Sequence, residues 1–135
     1  MATEILVNDG GAPARILPFT AGSTVTAGYA VYMGSDGEVD HIAVSGSLPL
    51  GYAFTAATSG NIANVITGHG VMLNVFCSGA NITVDGSAGT NTLGTSTQDG
   101  ALTLTPNTAD GHANTVALAL ETGSASAALM KVLTR

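Results

Sequence analysis

Charge is what this chain has least of. Charged residues fill 9% of its 135 positions, against about 25% in an average soluble domain. Only Arg15, Lys131 and Arg135 are strong cations, and the formal net charge is −6. So few cations cannot lay down the basic stripe that neutralises phosphates, which argues against nucleic acid as a partner. Trp is absent and aromatics reach only 4%. The lone Cys77 precludes an internal disulfide, which suits synthesis in a reducing cytosol. No apolar run approaches the roughly 18 residues of a helical membrane span, so no membrane is expected as a partner. The start at Met1-Ala2-Thr3-Glu4 lacks the basic and apolar regions of a signal peptide.

The missing chemistry is as informative. No G-x-x-x-x-G-K-[ST] loop cradles a nucleotide and no G-x-S-x-G elbow presents a serine. His41, His69 and His112 have no metal-ligand spacing with one another, with Cys77 or with the acids, so no metal or other cofactor is expected. His69, between two glycines, reads as a turn residue, and His41 and His112 as exposed ones. Cys77 lies on an apolar strand face without a nearby cation, so burial is expected rather than nucleophilic activity. No enzyme is expected.

What the chain does have is turns. Five of its six aspartates precede glycine, at Asp9, Asp36, Asp85, Asp99 and Asp110. Asp-Gly suits hairpins because glycine enters left-handed backbone space freely and Asp caps the turn with its side chain. The remaining carboxylates, Glu4, Glu38, Asp40 and Glu121, show no spacing suited to a paired acid and base.

Between the turns, apolar residues alternate with a period of two: Tyr29, Val31 and Met33; Leu50 to Phe54; Ile62 to Thr67; Val71, Leu73, Val75 and Cys77; Leu102 and Leu104; Val116, Leu118 and Leu120; and Leu129 to Leu133. Helical periodicity is confined to turns around 125–129. The spacing predicts an all-β fold, a compact sandwich or barrel of about ten short strands. Residues 1–22, carrying Ile5-Leu6-Val7 and Ile16-Leu17-Pro18-Phe19, read as an extended N-terminal arm of two short strands, followed by a β domain over 23–135. Pro18 confines its strand to an edge. The Asp-Gly pairs at 36 and 99 stand 63 residues apart with similar sequels, which suggests two similar lobes, 23–77 and 78–135. Tyr29, Tyr32, Tyr52, Phe54 and Phe76 serve either as core or as a sugar-stacking platform.

The run Ala27-Gly28-Tyr-Ala-Val-Tyr-Met-Gly-Ser-Asp-Gly-Glu-Val39, then Leu50-Gly51-Tyr-Ala-Phe-Thr-Ala-Ala-Thr-Ser-Gly60 with Val65-Ile66, resembles the small β-rich capsid cement, or decoration, proteins of tailed phages. The leader Ile16-Leu-Pro-Phe-Thr-Ala-Gly22 is similar too, whereas Asn114-Thr115 departs from Leu50-Gly51 in the looser second half. The resemblance implies a structural protein, made in the host cytoplasm, that binds the outer surface of an assembled head shell. Its partners would be the major capsid protein and itself, as a trimer or else a dimer. Ile5, Leu6, Val7, Ile16, Leu17, Pro18 and Phe19 are the expected partner contacts, because they are too apolar for a free tail; the alternative is that the arm covers its own barrel. The alternative is a head fibre, tail accessory or adhesin whose Ser/Thr-rich loop at Asn91 to Thr97 touches host glycans.

Overall fold

A computed structural model of the chain describes residues 5–8, 14–44, 48–78, 82, 84, 92–96, 100–104, 115–123 and 128–135. It is all-β, as the alternation predicts. Eleven strands occur among the described residues: β1 (Leu6–Asn8), β2 (Arg15–Thr20), β3 (Ala30–Met33), β4 (Val39–His41), β5 (Gly51–Ala53), β6 (Ile62–Thr67), β7 (Met72–Cys77), β8 (Thr92–Thr95), β9 (Leu102–Leu104), β10 (Ala117–Ala119) and β11 (Ala128–Thr134). Asp9, Asp85, Asp99, Asp110, His112 and the turns at 124–127 lie outside the described residues.

One sheet runs β2-β6-β5-β3-β4. Just past β2, Ala21 bridges Val39 in parallel, with the Gly22 N–H donating to the Val39 carbonyl at 3.0 Å, so β4 meets the β2 end of the sheet and closes a small barrel. Its interior holds Ala21, Val25, Val31, Val39, Ala53, Ala63 and Val65, all buried. The other sheet runs β1-β7-β11-β10-β8-β9 and closes in the same way, by the parallel pairing of Cys77 with Leu102. Closure removes most of the unpaired strand edges that a flat sheet would expose.

The two barrels share one register. Ala30 pairs Tyr52 where Thr92 pairs Leu118, Tyr32 pairs Asp40 where Gly94 pairs Thr103, and Tyr52 pairs Ile66 where Leu118 pairs Leu133. Even the isolated bridge between Val25 and Ala57 has its counterpart between Ile82 and Gly123. Through these pairings β2 to β6 correspond in order to β7 to β11. Each interior residue of the first barrel matches a buried residue of the second: Ala21 with Cys77, Val31 with Leu93, Val39 with Leu102, Ala63 with Met130. Leu50-Gly51 thus holds the place of Val116-Ala117, not of Asn114-Thr115.

The barrels are tied face to face. Ala30, Ile42, Tyr52 and Ile66, which point out of the first barrel, join the core of the second. Tyr29 stacks on Phe76 with centroids 4.4 Å apart and planes 8° apart. Gly100, in left-handed backbone at φ 66, receives the Ala30 N–H on its carbonyl and donates its own N–H to Ile42. A side chain there would collide with the Tyr29 ring.

Local chemistry explains the turns. After β3 the Gly34 N–H bonds the Glu38 carbonyl, the Gly37 N–H bonds Gly34, and the Asp36 carboxylate accepts the Glu38 N–H at 3.1 Å. Gly37 has φ 82 while no described non-glycine residue has positive φ. The expected two-residue hairpin is therefore a three-residue loop whose left-handed glycine ends the turn. In β10 the small side chains of Ala117 and Ala119 fill the interior, so of the alternating Val116, Leu118 and Leu120 only Val116 is buried, while Leu118 is half-buried and Leu120 exposed.

Candidate interaction surface

The expected arm contacts divide between the two barrels. Ile5 is buried in the shared core and Leu6 packs against it, because β1 pairs with β7 at Leu6–Leu73 and the Asn74 N–H donates to the Ile5 carbonyl at 2.8 Å. The Val7 side chain lies outside the described residues. β2 pairs along its whole length with β6, from Arg15–Thr67 to Thr20–Ile62. On β2 the Ile16, Leu17 and Pro18 side chains are exposed and Phe19 is half-buried against the first barrel's interior. Pro18 does sit on a strand that starts its sheet, as its missing N–H requires.

A second apolar surface lies where the sequence pointed only to Tyr32, as core or sugar-stacking platform. Tyr32, Met33, Val44, Leu48, Pro49 and Leu50 line a groove of about 520 Å³, and among the described residues neither a carboxylate nor a strong cation lines it. Val44 and Leu48 are 64% and 70% exposed. The available signal was two large apolar residues flanking Ser45-Gly46-Ser47 in a connection that should be polar. A cleft of about 330 Å³ between the barrels is lined in part by Tyr52, Thr67, His69, Thr134 and Arg135.

Among the described residues the candidate chemical groups do not converge. Cys77 is buried as expected, and burial, with the Glu121 charge second, pushes its thiol up to about 12. Such a thiol stays protonated and is a poor nucleophile. His69 is exposed between Gly68 and Gly70, both in left-handed backbone. His41 is buried, contrary to expectation: its Nε2 accepts the Thr26 N–H at 2.9 Å and its ring lies 4.7 Å from Tyr29. Among the described residues no three His, Cys, Asp or Glu gather as metal ligands. The aromatics are split too, with Tyr29 and Phe76 between the barrels, Tyr52 buried, and Tyr32 and Phe54 exposed. Thr92–Thr95, expected in a glycan-touching loop, forms β8 with Leu93, Gly94 and Thr95 buried. The arrangement is suited to apolar and backbone docking.

Comparison with solved structures finds a likeness over nearly the whole chain. The fold is similar to the crystal structure of the N base of head fiber gp8.5 of bacteriophage phi29, with a TM-score of 0.67 and 20% identity, over 91% of this chain and 95% of that one. At that identity the likeness establishes the fold. No protein-family model and no curated protein sequence matches the chain.

Proposed function

We propose that the chain is a non-enzymatic structural protein of a tailed-phage head, seated on the outer surface of the shell. The observation that carries this reading is the end-to-end likeness to a head fiber base, which spans both barrels rather than a single common motif. It agrees with the independent resemblance of residues 15–77 to capsid cement proteins. The surface supports the same reading, because exposed apolar residues on β2 and along the β3 groove suit lasting burial better than the transient binding of a charged ligand. The buried, protonated Cys77 supports the absence of covalent catalysis.

Within that role the first reading is cementing. The protein bridges neighbouring major capsid protein subunits through Ile16, Leu17 and Pro18, which are exposed on β2, and the half-buried Phe19 beside them. Many weak contacts, repeated over a shell, sum multivalently and resist rupture. The head-fibre likeness favours a second reading, in which the barrels are the seat of a fibre. Co-sedimentation of the purified protein with empty, expanded shells of the major capsid protein encoded beside it tests both. Saturable binding with a raised shell melting temperature is the result expected of a cement. Binding that leaves the melting temperature unchanged favours a fibre base, and no binding to any shell form overturns the head role.

A further inference from the structure

In the second barrel, β1 occupies the outer edge of β7. Closure aligns the strands: Cys77 meets Leu102 as Ala21 meets Val39, so Met72, Leu73 and Asn74 correspond to Ile16, Leu17 and Pro18. Alternate residues of β7 turn their backbone groups outward, the N–H of Asn74 to Ile5, that of Phe76 to Gly28 and that of Ser78 to Leu102. The matching residue of the first barrel, Gly22, likewise donates to Val39, while Ala21 donates inward to Asn61. By the same alternation Ile16 and Pro18 aim their carbonyls, and Ile16 its N–H, at the outer edge. Among the described residues no strand pairs there.

The side chains record the same difference. Leu73, beneath β1, is fully buried, whereas its counterpart Leu17 is 40% exposed and the neighbouring Ile16 is 42% exposed. The first barrel thus has a strand seat with an apolar floor, at the place where the second barrel carries its strand.

We propose that the edge of β2 at Ile16–Pro18 accepts an extended apolar strand from a different protein chain. This goes beyond the head role and does not depend on it. The donor is a different protein because, among the described residues, this chain's own strand of that kind, β1, is already used on β7. Pro18 gives the second reason. The Asn74 N–H that anchors β1 through the Ile5 carbonyl has Pro18 in its place, so a second copy's β1 would lose that bond. The fitting segment instead donates N–H groups to the Ile16 and Pro18 carbonyls, covers Leu17 with an apolar side chain, and places a carboxylate near the exposed Arg15.

The test uses the full chain, followed residue by residue by NMR, and a soluble peptide alternating Val and Thr with one terminal Glu. Saturable shifts at Ile16, Leu17, Phe19 and their β6 partners are expected, and N-methylating the peptide's edge amides should weaken binding about tenfold. Ile16→Asp, a change at an exposed side chain that preserves the fold, should weaken it similarly. A peptide copying residues 3–8 should bind Pro18→Asn at least about fivefold more tightly than the native chain, since one donor is restored. Four results overturn the proposal: no saturable binding, equal binding of the N-methylated peptide, shifts confined to the Tyr32–Leu48 groove, or equally tight seating of the 3–8 peptide on the native β2 edge, which would make a second copy the occupant.

Discussion

The first barrel and the second follow one register, yet they are filled differently. Where the first places Ala21, Val25, Val31, Val39 and Ala63 inside, the second places Cys77, Ile82, Leu93, Leu102 and Met130. Each added methylene contributes about 0.8 kcal/mol of burial, so the second barrel has the larger core, and it also gains the outward-facing residues of the first. Strand pairing can therefore be kept while volume moves. The first barrel, with less interior to hold it, is also the one that leaves an apolar strand uncovered.

The sharpest way to break the comparison is to exchange residues at equivalent places. Gly51 matches Ala117, but a Cβ at Gly51 would collide with the Ile66 backbone carbonyl and press on Val65 at 2.8 Å. A backbone atom cannot step aside as a side-chain end can. Gly51→Ala is expected to cost about 3 kcal/mol or more, while Ala117→Gly should cost only about 1 kcal/mol. Urea unfolding of both variants measures the difference, and equal costs would mean that the first barrel is no more tightly drawn than the second.

The next largest effect concerns the two edges. Leu73→Ala removes a fully buried side chain and should cost about 3 kcal/mol. Leu17→Ala, at the equivalent and exposed position, should cost less than about 1 kcal/mol in the isolated protein. A large loss for Leu17→Ala would show that part of the chain itself covers that edge.

A third effect appears only at alkaline pH. The Cys77 thiol, ordinarily near 9.0, is held protonated to about 12 in the folded chain, chiefly by burial and then by Glu121. Because the folded pKa is the higher one, the stabilisation is complete below pH 9 and is lost progressively as pH rises from 9 towards 12, by up to about 1.4 kcal/mol per pH unit. Cys77→Ala installs the residue that the first barrel has at this place, Ala21. It should flatten the fall in urea midpoint above pH 9, and an unchanged slope would assign the alkaline loss to other groups.

The fold was legible in the sequence where a local rule and the packing agreed. Val71, Leu73, Val75 and Cys77 alternate and are buried together, and Gly37, Gly60, Gly68 and Gly70 take left-handed backbone in the turns that their neighbours announced. Around β10, Val116, Leu118 and Leu120 also alternate, but Ala117 and Ala119 fill the barrel interior, and of the alternating three only Val116 is buried. His41 misled for the same reason, since the Thr26 N–H and Tyr29 ring that bury it come from another part of the chain. The docking surface was half legible: the apolar character of Ile16 and Leu17 could be read directly, whereas which edge β1 covers depends on closure between distant strands.

The smallest effect tests a place where the first barrel is the more polar. Tyr52 corresponds to the apolar Leu118, and its hydroxyl is buried among the described residues without a hydrogen-bond partner. Burial, followed by the Cys77 charge, pushes its pKa upward, so the ring remains neutral at any physiological pH. Leaving such a hydroxyl unsatisfied costs about 1 kcal/mol or more, while the ring itself packs with Ile66 and Leu73 in the shared core. Tyr52→Phe keeps that packing and removes the penalty, so it should raise stability by up to about 1 kcal/mol, read as a higher urea midpoint. Should it instead lower the midpoint, the hydroxyl has a partner in the cleft beside Thr67 and Thr134, and the contact between the barrels is held by polar bonds as well as by apolar packing.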